Sequence, residues 1–185
     1  MASIITATTT SGLTQSADNS GVLQLASGSG NLVTVPSVTG TAMVSGNMPA
    51  FSAYNNASQS ISNNTLTKIL FQVEDFDTNN NFASSRFTPT VAGYYQINSG
   101  LNIAPSATGV AAVAIYKNGN EWQSGSQIPM NATYSVRPVV STVIYFNGST
   151  DYVEIYGLQI SGGSLNVGTN STIATWFTGS MIRSA

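Results

Sequence analysis

Ala112-Val113-Ala114-Ile115-Tyr116-Lys117-Asn118-Gly119-Asn120-Glu121-Trp122 decides the fold class of this chain. An aliphatic and aromatic run stops at Asn-Gly and resumes within two residues, on a bulky aromatic. A two-residue loop joining antiparallel strands needs positive φ at both central positions, and Asn-Gly is the pair that adopts it most readily. The stretch therefore predicts a hairpin, with strands over Val110 to Lys117 and Glu121 to Gln127.

Working outward, similar runs recur on both sides: Ala50 to Tyr54, Thr67 to Val73, Gly93 to Ile103, Pro138 to Phe146, Tyr152 to Leu158 and Ile173 to Ile182. Turn clusters separate them at Asn55 to Asn64, Asn79 to Ser85, Asn147-Gly148-Ser149 and Ser161-Gly162-Gly163. Helix signals are missing, and many short strands between such turns read as a β-sandwich or barrel. The first 48 residues differ. There, Ser, Thr, Gly and Asn are broken only by apolar islands such as Val22-Leu23-Gln24-Leu25 and Leu32-Val33-Thr34-Val35. Each island is too short and too β-branched for a helix, so it reads as a brief strand, although the same composition suits a flexible tail. Fully extended, this arm would reach on the order of 150 Å. The organisation expected is an arm over residues 1–48 and a single domain over residues 49–185.

The 185-residue chain carries five Lys plus Arg and seven Asp plus Glu, 6% of the residues, against roughly 25% in an ordinary soluble domain. The formal net charge is −2. Without basic runs, nothing on this surface would follow a phosphate backbone, and nucleic-acid binding is not expected. A neutral hydroxyl and amide surface suits a molecule that buries large areas against copies of itself without desolvating charge. Met1 to Ser20 has neither a basic start nor a continuous apolar core, and about 18 apolar residues never run together, so no membrane partner is expected and synthesis in a cytoplasm is inferred.

Cys and His are both absent, which removes disulfides, thiol and imidazole catalysis and the usual zinc and haem ligands. Carboxylate pairs are the catalytic candidates that remain: Glu74 with Asp75 or Asp77, and Asp151 with Glu154. The second pair lies three residues apart on an expected strand, so its members point to opposite faces. Glu74-Asp75-Phe76-Asp77 offers oxygen ligands to a hard cation, but reads rather as a solvated loop. No Gly-x-Ser-x-Gly elbow or Ser-x-x-Lys motif occurs. No enzyme activity, metal or cofactor is expected. Lys68, Arg86, Lys117, Arg137 and Arg183 are scattered along the chain and read as solubilising charges or partners of the acids.

Six motifs, in order, carry a resemblance. They are Pro49-Ala50-Phe51-Ser52-Ala53-Tyr54; Thr67-Lys68-Ile69-Leu70-Phe71 with Phe76-Asp77; Arg86-Phe87-Thr88-Pro89-Thr90-Val91-Ala92-Gly93-Tyr94-Tyr95; Ala114-Ile115-Tyr116-Lys117-Asn118-Gly119; Thr142 to Ile155; and Thr175 to Ile182. Together they resemble the complement C1q and tumour-necrosis-factor-like jelly roll family in its bacterial and bacteriophage branch, over residues 49–185. The chain has no collagen-like Gly-X-Y stalk, unlike secreted animal members, and Asp75 and Asp77 do not match the family's calcium sites.

The resemblance implies an all-β, ten-strand jelly-roll sandwich preceded by the extended arm, with three copies packed through aromatic and aliphatic faces into a homotrimer. Tyr94, Tyr95, Tyr116, Tyr145, Trp176 and Phe177 are the expected interface or core residues, because such a thin sandwich has more aromatic residues than its core needs. The leading functional expectation is a virion protein: a trimeric capsid decoration, or cement, protein that stabilises the shell. Its arm would contact neighbouring subunits, including the major capsid protein, through Val22, Leu23, Leu25, Leu32, Val33 and Val35. The alternatives are the receptor-binding tip of a head or tail fibre, or a bacterial C1q-like adhesin.

Overall fold

The computed structural model describes residues 23–27, 31–35, 46, 48–168 and 173–185. The chain divides into two units, Met1–Thr41 and Ala42–Ala185. In the first, β1 (Leu23–Ser27) and β2 (Asn31–Val35) form an antiparallel pair in which Leu25 lies opposite Val33.

The second unit is a sandwich without an α-helix among the described residues. Its strands are β3 (Ala50–Tyr54), β4 (Gln59–Ile61), β5 (Thr67–Lys68), β6 (Val73–Asp77), β7 (Phe82–Ala83), β8 (Arg86–Phe87), β9 (Gly93–Gly100), β10 (Val110–Lys117), β11 (Asn120–Pro129), β12 (Val139–Phe146), β13 (Val153–Ile160), β14 (Leu165–Val167) and β15 (Trp176–Ser184). One sheet runs β12-β9-β15-β3-β6; the other runs β11-β10-β13-β8-β7, with β5 also on β13. Apart from the β10–β11 hairpin, successive long strands cross from one sheet to the other, so sheet neighbours such as β3 and β15 are distant in sequence, as in a jelly roll.

The expected hairpin is present: Lys117 pairs with Asn120 across Asn118 (φ 52°) and Gly119 (φ 81°), both left-handed as the tight turn requires. Strand alternation then builds the core. On β9, Tyr95 and Ile97 turn inward while Tyr94, Gln96 and Asn98 turn outward. Phe51, Phe82, Phe87 and Phe177 form its aromatic centre, with Phe51 and Phe87 stacked at 4.3 Å. The Tyr95 hydroxyl donates to the Val91 carbonyl at 2.7 Å, and burial raises its pKa far above the ordinary tyrosine range.

Two sequence expectations need correction. Thr67 to Val73 is not one strand. After β5 its ladder gives way to side-chain partners: the Leu70 N–H donates to Gln59 Oε1, the Leu70 carbonyl accepts from Asn55 Nδ2, and the Phe71 N–H donates to Ser85 Oγ. Glu74-Asp75-Phe76-Asp77 is likewise no free loop but β6, paired with β3 at the sheet edge. Asp77 is spent on the backbone, its carboxylate accepting the N–H groups of Phe82 and Asn79 at 2.6 and 3.2 Å. Among the described residues, no group of three or more acidic residues comes together as a metal site.

Candidate functional site

The outward face of the β12-β9-β15-β3-β6 sheet is built by residues of one strand phase. They are Val139, Ser141, Val143 and Tyr145 on β12; Tyr94, Gln96 and Asn98 on β9; Trp176, Thr178 and Ser180 on β15; Ala50, Ser52 and Tyr54 on β3; and Phe76 on β6, matched across the sheet by the ladder register. None of these side chains is charged, but the register adds a cation at the margin of the face, Arg183 on β15, directly opposite Tyr94. Tyr94 and Tyr145 lie directly opposite each other with ring centroids 5.4 Å apart, and each remains 42% exposed. Val139, Val143 and Phe76 are about as open, at 52%, 47% and 48%. Between the aromatic ends, Gln96 Nε2 donates to Asn98 Oδ1 and Ser141 Oγ, and Ser141 Oγ donates to Asn98 Oδ1, leaving a neutral polar strip. The Trp176 indole lies over Gly100, where an added Cβ would come within 2.8 Å of the ring nitrogen.

The six aromatic residues singled out from the sequence thus fall into three places. Tyr94, Tyr145 and Trp176 stand on this outward face, whereas Tyr95 and Phe177 are completely buried in the core. Tyr116 is on the other sheet, its ring tilted against Tyr156 at 4.1 Å. Of the arm residues, Leu23 and Leu25 belong to β1 and Leu32, Val33 and Val35 to β2; Val22 lies outside the described residues.

The charges do not scatter, as their spacing in sequence suggests. Glu154, 3% exposed, receives both Lys68 Nζ (2.6 Å) and Arg86 Nη2 (2.8 Å) on one carboxylate oxygen. Arg86 also lies 3.7 Å above the Tyr152 ring. Asp151 is a separate site: it pairs with Lys117 Nζ at 3.0 Å and accepts from Asn118 Nδ2 at 2.8 Å. The two acids share no partner, so they form no catalytic pair. Burial pushes both carboxyls up, but the hydrogen bonds and positive charge of Lys68 and Arg86, and for Asp151 the hydrogen bonds of Asn118, Lys117 and the Asn147 N–H with the Lys117 charge, prevail. Both acids end below their ordinary range. A lowered folded pKa gives stability that is complete above the unfolded value and lost as pH falls through the folded one. The unfolding midpoint is therefore expected to hold from neutrality to about pH 5 and to fall below about pH 4. Glu154→Gln combined with Asp151→Asn should flatten that fall, as urea titrations across this range would record.

No protein-family model and no curated protein matches the chain. Solved structures do. The globular domain of zebrafish complement 1qA is 18% identical and superposes with a TM-score of 0.53 over 74% of this chain and 99% of that one. Eiger TNF from S. frugiperda is 6% identical, with a TM-score of 0.56 over 75% and 95%. PRD1 vertex protein P5 is 16% identical, with a TM-score of 0.50 over 74% and 96%. At such identities the likeness is one of architecture, and that architecture is the C1q/TNF-like jelly roll.

Proposed function

We propose that this chain is a virion structural protein, a homotrimeric capsid decoration protein whose arm ties it to neighbouring shell subunits. The observation that carries the reading is the outward face just described. It is wide, poor in charge and aromatic at both ends, which is the chemistry of a surface meant to be covered by protein rather than water. Three copies meeting through this face would bury Tyr94, Tyr145, Val143 and Trp176 together. The fold shared with a protein named for a virus vertex supports a place on a particle. The chemistry of the described residues supports a non-enzymatic role, since the two best-held carboxylates are each neutralised by cations.

The arm distinguishes decoration from the fibre-tip alternative. Islands on β1 and β2 would add strands or apolar plugs to neighbouring subunits, with about 1.5–3 kcal/mol for each aliphatic side chain fully buried, before ordering costs. Three arms per trimer then raise occupancy through effective concentration. Deleting residues 1–48 is expected to leave a trimer that no longer coats shells lacking the protein, and Leu23→Asp with Val33→Asp should weaken coating without unfolding the sandwich. Full coating by the armless protein would sink the clamp. Absence of coating, together with blocked adsorption of particles to cells, would transfer the function to a fibre tip.

A further inference from the structure

Two of the five cationic residues in the chain, Lys68 and Arg86, come together beside a cavity of about 460 Å³ bounded by Asn80, Asn81, Ala83, Ser84, Thr88 and Thr90. The cavity flanks the β7–β8 hairpin and shares no lining residue with the aromatic outward face of the other sheet. Glu154 neutralises only one of the two charges, so the cluster retains a net charge of +1 toward the cavity. The geometry leaves donors to spare. Arg86 directs Nε and Nη2 at Glu154 Oε1, at 2.9 and 2.8 Å, so the Nη1 side of its fork is open to a ligand. Lys68 Nζ commits one N–H to Glu154 and one to the Ser84 carbonyl at 2.9 Å, leaving the third.

The walls are fixed independently of any ligand. Asn81, 5% exposed, donates through Nδ2 to the Asn79 carbonyl and Thr90 Oγ1, while its Oδ1 accepts the Thr90 N–H. The Thr88 N–H donates to the Asn81 carbonyl at 2.8 Å. Tyr152 holds the Arg86 guanidinium flat from one side. Asp77, at the start of the same loop, is turned to backbone N–H groups and does not line the cavity.

We propose that this cavity binds an acidic saccharide of the uronic-acid class, its carboxylate on Arg86 and Lys68 and its hydroxyls on the Asn80, Thr88 and Thr90 side chains. A planar, pre-oriented guanidinium is matched to a carboxylate. The amide and hydroxyl walls match a sugar rather than an apolar ligand, and the volume accommodates a monosaccharide. The site is independent of the virion reading, which stands or falls on shell binding.

The test is a titration of the full-length, isotope-labelled protein with galacturonate, inorganic sulfate and galactose, followed by NMR. Galacturonate is expected to saturate in the millimolar range with shifts centred on Ala83 to Thr90, more tightly than sulfate, and galactose should cause none. Ala83→Glu adds a carboxylate at the exposed rim without touching the ion cluster, and should weaken galacturonate at least tenfold. Arg86→Lys, which keeps the charge and loses the fork, should weaken it less. No saturable shift, equal shifts from galactose, tighter binding of sulfate, or unchanged affinity in a folded Ala83→Glu protein would each overturn the proposal.

Discussion

Val143→Asp together with Tyr145→Asp is expected to convert a trimer into a folded monomer. Both side chains stand on the outward face of β12 and are 47% and 42% exposed in the isolated chain. Charging them therefore costs the protomer little. In a three-fold assembly, however, the pair becomes six carboxylates stripped of water, and Arg183, the cation that the register places on this face opposite Tyr94, can meet at most one of the two from each protomer. The effective penalty is several kcal/mol per buried, unpaired ion, and even about 4 kcal/mol in total weakens association roughly a thousandfold. Sedimentation velocity at micromolar concentration should show the unaltered protein as a trimer and the double variant as a monomer with an unchanged circular dichroism spectrum. Gln123→Glu, on the exposed edge strand β11, serves as the control and should remain trimeric. A double variant that still sediments as a trimer would place the interface elsewhere on the sandwich.

Phe51→Ala should produce the largest loss of stability among single core truncations. The ring is 1% exposed and touches three others, Phe82 at 5.0 Å, Phe87 at 4.3 Å and Phe177 at 4.8 Å, drawn from both sheets. Removing a buried phenylalanine costs about 3–5 kcal/mol through lost transfer energy and the cavity left behind, and each lost ring pairing adds to that. The upper end of the range applies because three pairings disappear at once. Against the 5–15 kcal/mol that typically separates folded from unfolded chains, this is a third or more of the total. Urea unfolding at fixed protein concentration measures it, since the proposed assembly would make the midpoint concentration-dependent. Phe51→Leu should recover more than half of the loss, and a change below about 1 kcal/mol in the Ala variant would mean the aromatic cluster is not the centre of the core.

The parts of the fold legible in the sequence are those that local chemistry specifies. β3 and β10 occupy the expected Ala50 to Tyr54 and Val110 to Lys117, and the two left-handed turn residues are the Asn and Gly that announced them. Boundaries drifted where the partner strand, not the residue itself, ends the ladder: β11 runs on to Pro129 and β13 to Ile160 because β10 continues alongside both. β4 and β14 were hidden. Each is a three-residue strand whose ladder partner is the other, more than a hundred positions away, and Gln59 to Ile61 sits in an Asn- and Ser-rich stretch that reads locally as turn.

The candidate sites were less legible, for a related reason. Nothing in the spacing of Lys68, Arg86 and Glu154 brings them together; two antiparallel neighbours of β13, β5 and β8, do so by register. The aromatic pairs make the same point. Alternation along a strand dictates that Tyr94 and Tyr95 face opposite ways, and likewise Trp176 and Phe177, so the residues alone established that one of each pair is buried and one is offered outward. Which one is buried depended on the packing of the second sheet. A shift of one residue in register would exchange every inward and outward side chain at once. The phase was fixed only when Tyr95 and Phe177 met the buried rings of Phe87 and Phe51, leaving Tyr94, Tyr145 and Trp176 on the outward face.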